Sequence, residues 1–303
     1  MSDARPVRTI AFIGTGLMGT PLVKRMLGAG FVLRVWNRTP SKLADLTAAG
    51  AIPARTVAEA CDGADSICTC LSNAEAVEQT VFGSGGAAAA LRAPALLIDF
   101  STIGPEATVL FAARLAAANG ASWVDAPVSG GPTGAATGTL VIFCGGAAEA
   151  VARAQPLFEA IAQRVTHFGD IGTGQAAKLC NQVIVAVTLA AIAESLALAE
   201  NASLDPMRLV DALTGGYADS IPLQIFGRRM AGRALEPKLG EIATMAKDIA
   251  LAADLAGKCG SKLPVVAAAA AIYEAAARAG LGSQDLGALI RLHTGRGAAR
   301  KAP

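Results

Sequence analysis

Lys178, Asn181 and Gln182 follow one another at i, i+3 and i+4 in the run Gly172-Thr-Gly-Gln-Ala-Ala-Lys-Leu-Cys-Asn-Gln182. On a helix that spacing puts one amine and two carboxamides on a single face. The surrounding residues are mostly Ala, Leu and Val, so a polar stripe there needs a polar partner. A substrate in a cleft between two domains is one such partner; the alternative is a solvated first turn. Desolvation in a cleft favours the neutral amine, which suits Lys178 to a general acid and base. A second candidate lies upstream, in the glycine-dense stretch from Asp125 to Thr139. There Ser129, Gly130 and Gly131 combine backbone N–H groups with little side-chain bulk, as binding a small carboxylate requires. Read on composition alone, the same stretch is a flexible loop.

A third constellation concerns phosphate. Gly14-Thr15-Gly16-Leu17-Met18-Gly19 is a GxGxxG sequence between an apolar strand pattern and a helical one, the context in which that spacing has a mechanism. Gly14 permits the tight turn, Gly16 lets backbone approach a pyrophosphate, and Gly19 allows helix and strand to pack closely. The N–H groups at the helix start, around Leu17 and Met18, then face the anion. At the end of the second strand, where NAD sites place an acidic residue, this chain has Asn37-Arg38-Thr39. Arg38 can pair with a 2′-phosphate that a carboxylate would repel. Thr39 before Pro40 reads as a helix N-cap, adding N–H groups beside the same anion. The expected cofactor is therefore NADP(H). Leu71-Ser72-Asn73 and Asp99-Phe100-Ser101-Thr102 also follow apolar strands, either lining a nucleotide channel or serving as ordinary turns.

These residues need elements to hold them. Strand patterns at Thr9–Ile13, Val32–Trp36, Ser66–Leu71, Leu96–Phe100, Ser122–Ala126, Leu140–Cys144 and Arg164–Phe168 are interleaved with helical runs at Met18–Leu27, Ser41–Ala49, Ala74–Val81 and Pro105–Asn119. Such alternation predicts an α/β fold, a Rossmann-type doubly wound parallel sheet over residues 7–168. Ligands bind outside the carboxyl ends of its strands. From 169 to 293 an all-helical domain is expected. It begins with a long linking helix over 175–201, apolar nearly all round, followed by helices at Pro206–Leu213, Leu223–Met230, Leu239–Leu255, Pro264–Ala279 and Gln284–Leu292. Residues 294–303 read as a flexible tail, and Gly83–Ala90 as a low-complexity stretch.

Composition narrows the functional classes. Of 303 residues, 53% are apolar and 17% charged, with a net charge of +2. This gives no concentrated basic face of the kind nucleic acid requires; the cluster Arg296, Arg300 and Lys301 reads as a solvated end. The first residues lack the apolar core of a secretory signal. Val183–Ala193 falls short of the roughly 20 apolar residues a membrane span needs. Six cysteines with no CxxC pair read as buried free thiols in a reducing cytoplasm. Two histidines, far apart, make neither a metal site nor a triad, so no metal is expected.

Taken together and in order, the glycine fingerprint, the Asp99–Thr102 loop, the Asp125–Gly131 run, the Gly172–Gln182 run and Lys247-Asp248-Ile249-Ala250-Leu251-Ala252 resemble the β-hydroxyacid dehydrogenase family over residues 8–292. That family includes 3-hydroxyisobutyrate dehydrogenase and tartronate semialdehyde reductase. The resemblance implies that Lys178 transfers the proton, Asn181 orients the substrate, and Ser129, Gly130 and Gly131 bind its carboxylate. It implies that Thr102 contacts the cofactor near the nicotinamide and that Lys247 closes over the cofactor. It also implies a homodimer or homotetramer formed through the helical domain. Tartronate semialdehyde is the leading substrate. Alternatives are 3-hydroxyisobutyrate, a related sulfonate or sugar acid, or, in another class, a non-catalytic NADPH-binding module. Leu239 stands where many members carry phenylalanine, which implies a different side-chain preference.

Overall fold

The computed structural model describes residues 9–294; the expectations for the amino terminus and for the tail lie outside it. The chain divides into two compact units, with the division between Lys178 and Leu179.

The first unit is built on six parallel strands in the order β3-β2-β1-β4-β5-β6. They are β1 (Thr9–Ile13), β2 (Val32–Trp36), β3 (Ile52–Pro53), β4 (Ser66–Thr69), β5 (Leu96–Asp99) and β6 (Ser122–Asp125). Strand alternation sorts β1 onto two faces: Ile10 and Phe12 enter one apolar core, Ala11 and Ile13 the other. Helices α1 (Gly19–Gly28), α2 (Ala44–Ala48), α3 (Val57–Cys61), α4 (Ala74–Phe82), α5 (Ala87–Ala90) and α6 (Pro105–Asn119) connect the strands. With both faces covered, the strands read as continuous apolar runs, as buried parallel sheets do.

Three differences from expectation matter. Leu140–Cys144 and the strand near 164 do not extend this sheet. β7 (Val128–Ser129), β8 (Leu140–Cys144) and β9 (Ala162–His167) form a separate sheet in which β7 pairs antiparallel with β8. The glycine-dense stretch is not a loop, since after β7 it folds into α7 (Gly131–Thr137). A helix, α8 (Ala148–Ile161), sits where none was expected, and buries Val151, Leu157, Phe158 and Ile161. Pro156 in the interior of α8 reads as a helix breaker in the sequence, and α5, four alanines inside the low-complexity stretch, is too short to carry a period.

The second unit is helical. Its leading helix, α9 (Thr173–Asn201), runs for 29 residues and begins in the first unit. It is long and apolar enough to cross a membrane by length and composition, yet half of that window is buried. α10 (Pro206–Leu213), a π-helical turn at Leu223–Gly227 running into α11 (Arg228–Gly232), α12 (Ile242–Lys258), α13 (Pro264–Arg278) and a 3-10 segment at Leu286–Leu292 complete it. α12 starts three residues later than expected, because the Leu239 N–H donates to the Asp285 carboxylate and Glu241 forms an antiparallel backbone bridge with Asp285. Tyr273, Leu189, Ala193 and Ile290 lie at the centre of its core. The thiols differ from expectation too: Cys61, Cys68 and Cys144 are buried, but Cys180 and Cys259 are exposed at helix surfaces.

Candidate active site

Sheet register places the chemistry. Ile13 is level with Trp36 and with Thr69, Thr69 with Asp99, and Asp99 with Asp125. The loops leaving β1, β2, β4, β5 and β6 therefore emerge along one edge, the carboxyl edge. The chain reverses its winding between β1 and β4, the switch point at which doubly wound sheets bind ligands.

At β1, Gly14 has φ +99° and its missing Cβ would lie 2.4 Å from the Cys70 carbonyl. A Cβ on Gly19 would lie 2.0 Å from the Gly14 carbonyl. Both positions are forced by the protein's own packing. Gly16 is different: it has ordinary backbone geometry, is exposed, and a Cβ there would meet nothing within 4 Å. Among the described residues nothing requires glycine at 16, and the open backbone there fits the close approach of a pyrophosphate. Leu17 is 42% exposed and Met18 half-buried at the start of α1.

At β2, Asn37 organises the turn. Its Nδ2 donates to Thr15 Oγ1 at 2.9 Å and its Oδ1 accepts the Thr39 N–H at 2.8 Å. Thr39 precedes a short 3-10 segment at Pro40–Leu43 and makes no side-chain cap, contrary to expectation. The Asn37 carboxamide turns the chain there by taking the Thr39 N–H. Arg38 is exposed, and among the described residues it makes no side-chain hydrogen bond or ion pair.

Further along the edge, Ser101 Oγ accepts the Leu71 N–H at 2.8 Å, while Ser72 is exposed. Asp99 Oδ1 accepts from Thr69 Oγ1 at 2.8 Å and from the Ser101 N–H at 3.0 Å. Burial pushes the Asp99 carboxyl up to about 6 despite those bonds, and the nearby Asp125 adds to the rise. Asp125 is itself raised by burial, although its oxygens accept the Gly172 and Gln175 N–H groups, each at 2.9 Å. A Cβ on Gly174 would lie 2.8 Å from Asp125 Oδ2 and 2.5 Å from the Phe143 carbonyl, so the glycines of this run let the backbone close on the carboxylate. Thr102 is half-buried in the same loop system.

Ser129 ends β7, and Gly130 and Gly131, at φ +126° and +63°, turn the chain into α7. Lys178 lies in the second turn of α9 and is 7% exposed. The first unit thus holds Lys178, the Ser129–Gly131 turn and the nucleotide loops. Asn181 and Lys247 belong to the helical unit and are joined there in one network. Asn181 Nδ2 donates to Gln182 Oε1 at 2.8 Å, Gln182 Nε2 donates to Asp248 Oδ2 at 2.6 Å, and Lys247 Nζ lies 3.0 Å from Asp248 Oδ1. This corrects part of the polar-stripe reading, because Gln182 finds its partner within the protein. Sequence reasoning did not single out Gln175, Asp125 or Asp248. Their polar partners lie 47 to 74 residues away, a separation at which no local pattern reports a contact.

A parallel sheet with a glycine turn at its switch point defines a dinucleotide-binding protein, and the comparisons with known proteins agree. Residues 9–169 match the NAD-binding domain of 6-phosphogluconate dehydrogenase, and residues 172–293 match the family described as NAD-binding of NADP-dependent 3-hydroxyisobutyrate dehydrogenase. The chain is 36% identical to Escherichia coli 2-hydroxy-3-oxopropionate reductase, covering 93% of this chain and 96% of the relative. It is 34% identical to an NAD-dependent L-serine dehydrogenase of Pseudomonas aeruginosa, covering 94% and 98%. It superposes on Mycobacterium tuberculosis 3-hydroxyisobutyrate dehydrogenase, solved with L-serine, at a TM-score of 0.81 and 34% identity, covering 94% and 99%. The chain belongs to the β-hydroxyacid dehydrogenase family, and it is an NAD(P)-dependent oxidoreductase.

Proposed function

We propose that this enzyme interconverts a small β-hydroxyacid and its semialdehyde with NADP(H), with tartronate semialdehyde (2-hydroxy-3-oxopropionate) as the leading substrate. The observation that carries the reading is Lys178, an amine 7% exposed on a helix turn tied by hydrogen bonds to the loops at the sheet's carboxyl edge. The residues present fit a dinucleotide, since Gly16 leaves open space where a pyrophosphate would approach and Arg38 stands exposed where a 2′-phosphate would lie. Bound nicotinamide supplies the hydride in the reductive direction. The protein does the rest. Lys178 gives a proton to the carbonyl oxygen as hydride reaches the carbonyl carbon, and takes it back in oxidation. Ser129 and the N–H groups of Gly130 and Gly131 hold the carboxylate, and Asn181 orients the reacting oxygen. Thr102 lines the nicotinamide end, Leu71 and Ser72 line the channel, and Lys247 closes over the cofactor.

The test is turnover of NADPH and NADH with a panel of small semialdehydes. Lys178→Ala should lower kcat by roughly 10²–10⁴-fold, the usual worth of a positioned acid–base group; undiminished turnover would remove the lysine from the mechanism. Arg38→Asp should reverse the cofactor preference towards NADH, and an unchanged ratio of kcat/KM values would mean that Arg38 does not read the 2′-phosphate. A second reading, 3-hydroxyisobutyrate or L-serine oxidation, is favoured by the likeness to the two relatives bearing those names and is decided by the same panel run in the oxidative direction.

A further inference from the structure

Gln175 is fully buried, at 0% exposure, three residues before Lys178 on α9. Its side-chain amide is used at both ends. Nε2 donates to the Ser101 carbonyl at 2.8 Å, and Oε1 accepts the Ile103 N–H at 3.2 Å. These two peptide groups flank Thr102. Gln175 also donates its own N–H to Asp125 Oδ2 at 2.9 Å, while Asp125 Oδ1 takes the Gly172 N–H. The start of α9 is therefore fastened to the loop after β5 by a side chain and to the end of β6 by a carboxylate. The helix rise of about 1.5 Å per residue puts Lys178 roughly 4.5 Å further along the axis, within the reach of that fastening.

We propose that Gln175 is the positioning residue of the reaction, fixing the Lys178 turn against the Thr102 loop. It thereby sets the distance between the proton donor and the carbon that receives hydride. The inference rests on the function proposed above and adds a residue that touches neither substrate nor cofactor. The chemistry explains why an amide stands there. One planar group, with no exposed surface, must donate to a carbonyl and accept from an N–H two residues on. A neutral carboxylic acid can do both. A carboxylate can only accept, which leaves the Ser101 carbonyl without its donor and places a second anion beside Asp125. An aliphatic side chain does neither.

Two variants separate positioning from bulk stability. Gln175→Leu keeps the approximate volume and should lower kcat by about 10²-fold, the cost of misplacing reacting groups by about 1 Å. Its Kd for NADPH should stay within about threefold of the parent, since the phosphate loops are untouched. Gln175→Glu should recover most of the parental kcat in acid, where the side chain is protonated. It should then lose that activity through a new ionisation as pH rises, one absent from the parent and from Gln175→Leu. Amide hydrogen exchange without cofactor gives a readout independent of turnover. Protection at residues 101–103 and 173–178 should fall together in Gln175→Leu, and in Gln175→Glu at alkaline pH alone. Parental kcat in Gln175→Leu, a pH profile of Gln175→Glu parallel to the parent, or loss of protection at one segment without the other overturns the inference. A parent enzyme that turns over no hydroxyacid or semialdehyde overturns the function reading instead; paired loss of protection then still supports the fastening, and its absence still refutes it.

Discussion

Buried carboxylates are answered differently in the two units of this protein. In the nucleotide unit, Asp99 takes the Thr69 hydroxyl and the Ser101 N–H, and Asp125 takes the N–H groups of Gly172 and Gln175. These donors are neutral. In the helical unit, Asp248 meets the Lys247 ammonium and the Gln182 amide, and Asp285 faces the Arg229 guanidinium at 3.4 Å beside the N–H groups of Leu239 and Gly287. Neutral dipoles leave part of the desolvation cost of a charge uncompensated, which is why Asp99 and Asp125 both hold their protons to higher pH. A counter-ion offsets that cost but makes each partner depend on the other. Backbone donors, by contrast, survive every substitution but proline. The Asp125 end of the nucleotide edge is held by backbone donors, and the Asp248 network by side chains alone.

That contrast sets the expected order of effects. Asp248→Leu should be the largest, costing about 3 kcal/mol in urea denaturation, because it removes the carboxylate that faces the Lys247 ammonium and accepts the Gln182 amide. A loss below about 1 kcal/mol would show that the network does not depend on its charges. Asp99→Asn tests the other unit through pH. Between the ordinary value of 3.8 and about 6, the unfolded chain has released the Asp99 proton while the folded protein keeps it. Stability therefore falls as pH rises through that window, by up to roughly 3 kcal/mol for a shift of this size. The variant should lose this slope, whereas parallel profiles for parent and variant would remove Asp99 as its source. The smallest effects should be the same in both units. Thr56 caps α3 by accepting the Glu59 N–H, and Asp205 caps α10 by accepting the Met207 N–H. Alanine at either should cost about 1 kcal/mol. Clearly unequal losses would mean that tertiary setting governs even these local contacts.

The parts legible in advance were those whose physics is local. Short β-rich runs marked seven strands, β1, β2, β4, β5, β6, β8 and β9, to within two residues. An uninterrupted apolar run marked α9. The two-residue strands β3 and β7, and the short or alanine-rich helices α3, α5, α7 and α8, carried too little pattern to be seen. The turn after β2 was recognised as a candidate anion site, but the side chain that organises it is Asn37, whose Oδ1 accepts the Thr39 N–H in an Asx-type turn, while Thr39 makes no side-chain cap.

The sequence by itself determined the longer strands, the long helix α9, the glycine turn and the place of Lys178 on a helix, because each depends on neighbours within a few residues. The tertiary structure alone decided what holds that lysine. Asp125 reaches the start of α9 across 47 and 50 residues, Gln175 reaches back 72 and 74, and Gln182 meets Asp248 across 66. A buried polar group must find a partner wherever packing brings one, and the packing is a property of the whole chain. It also decided that Gly14 and Gly19 are glycines for the protein's own closeness, while Gly16 is left open to something else.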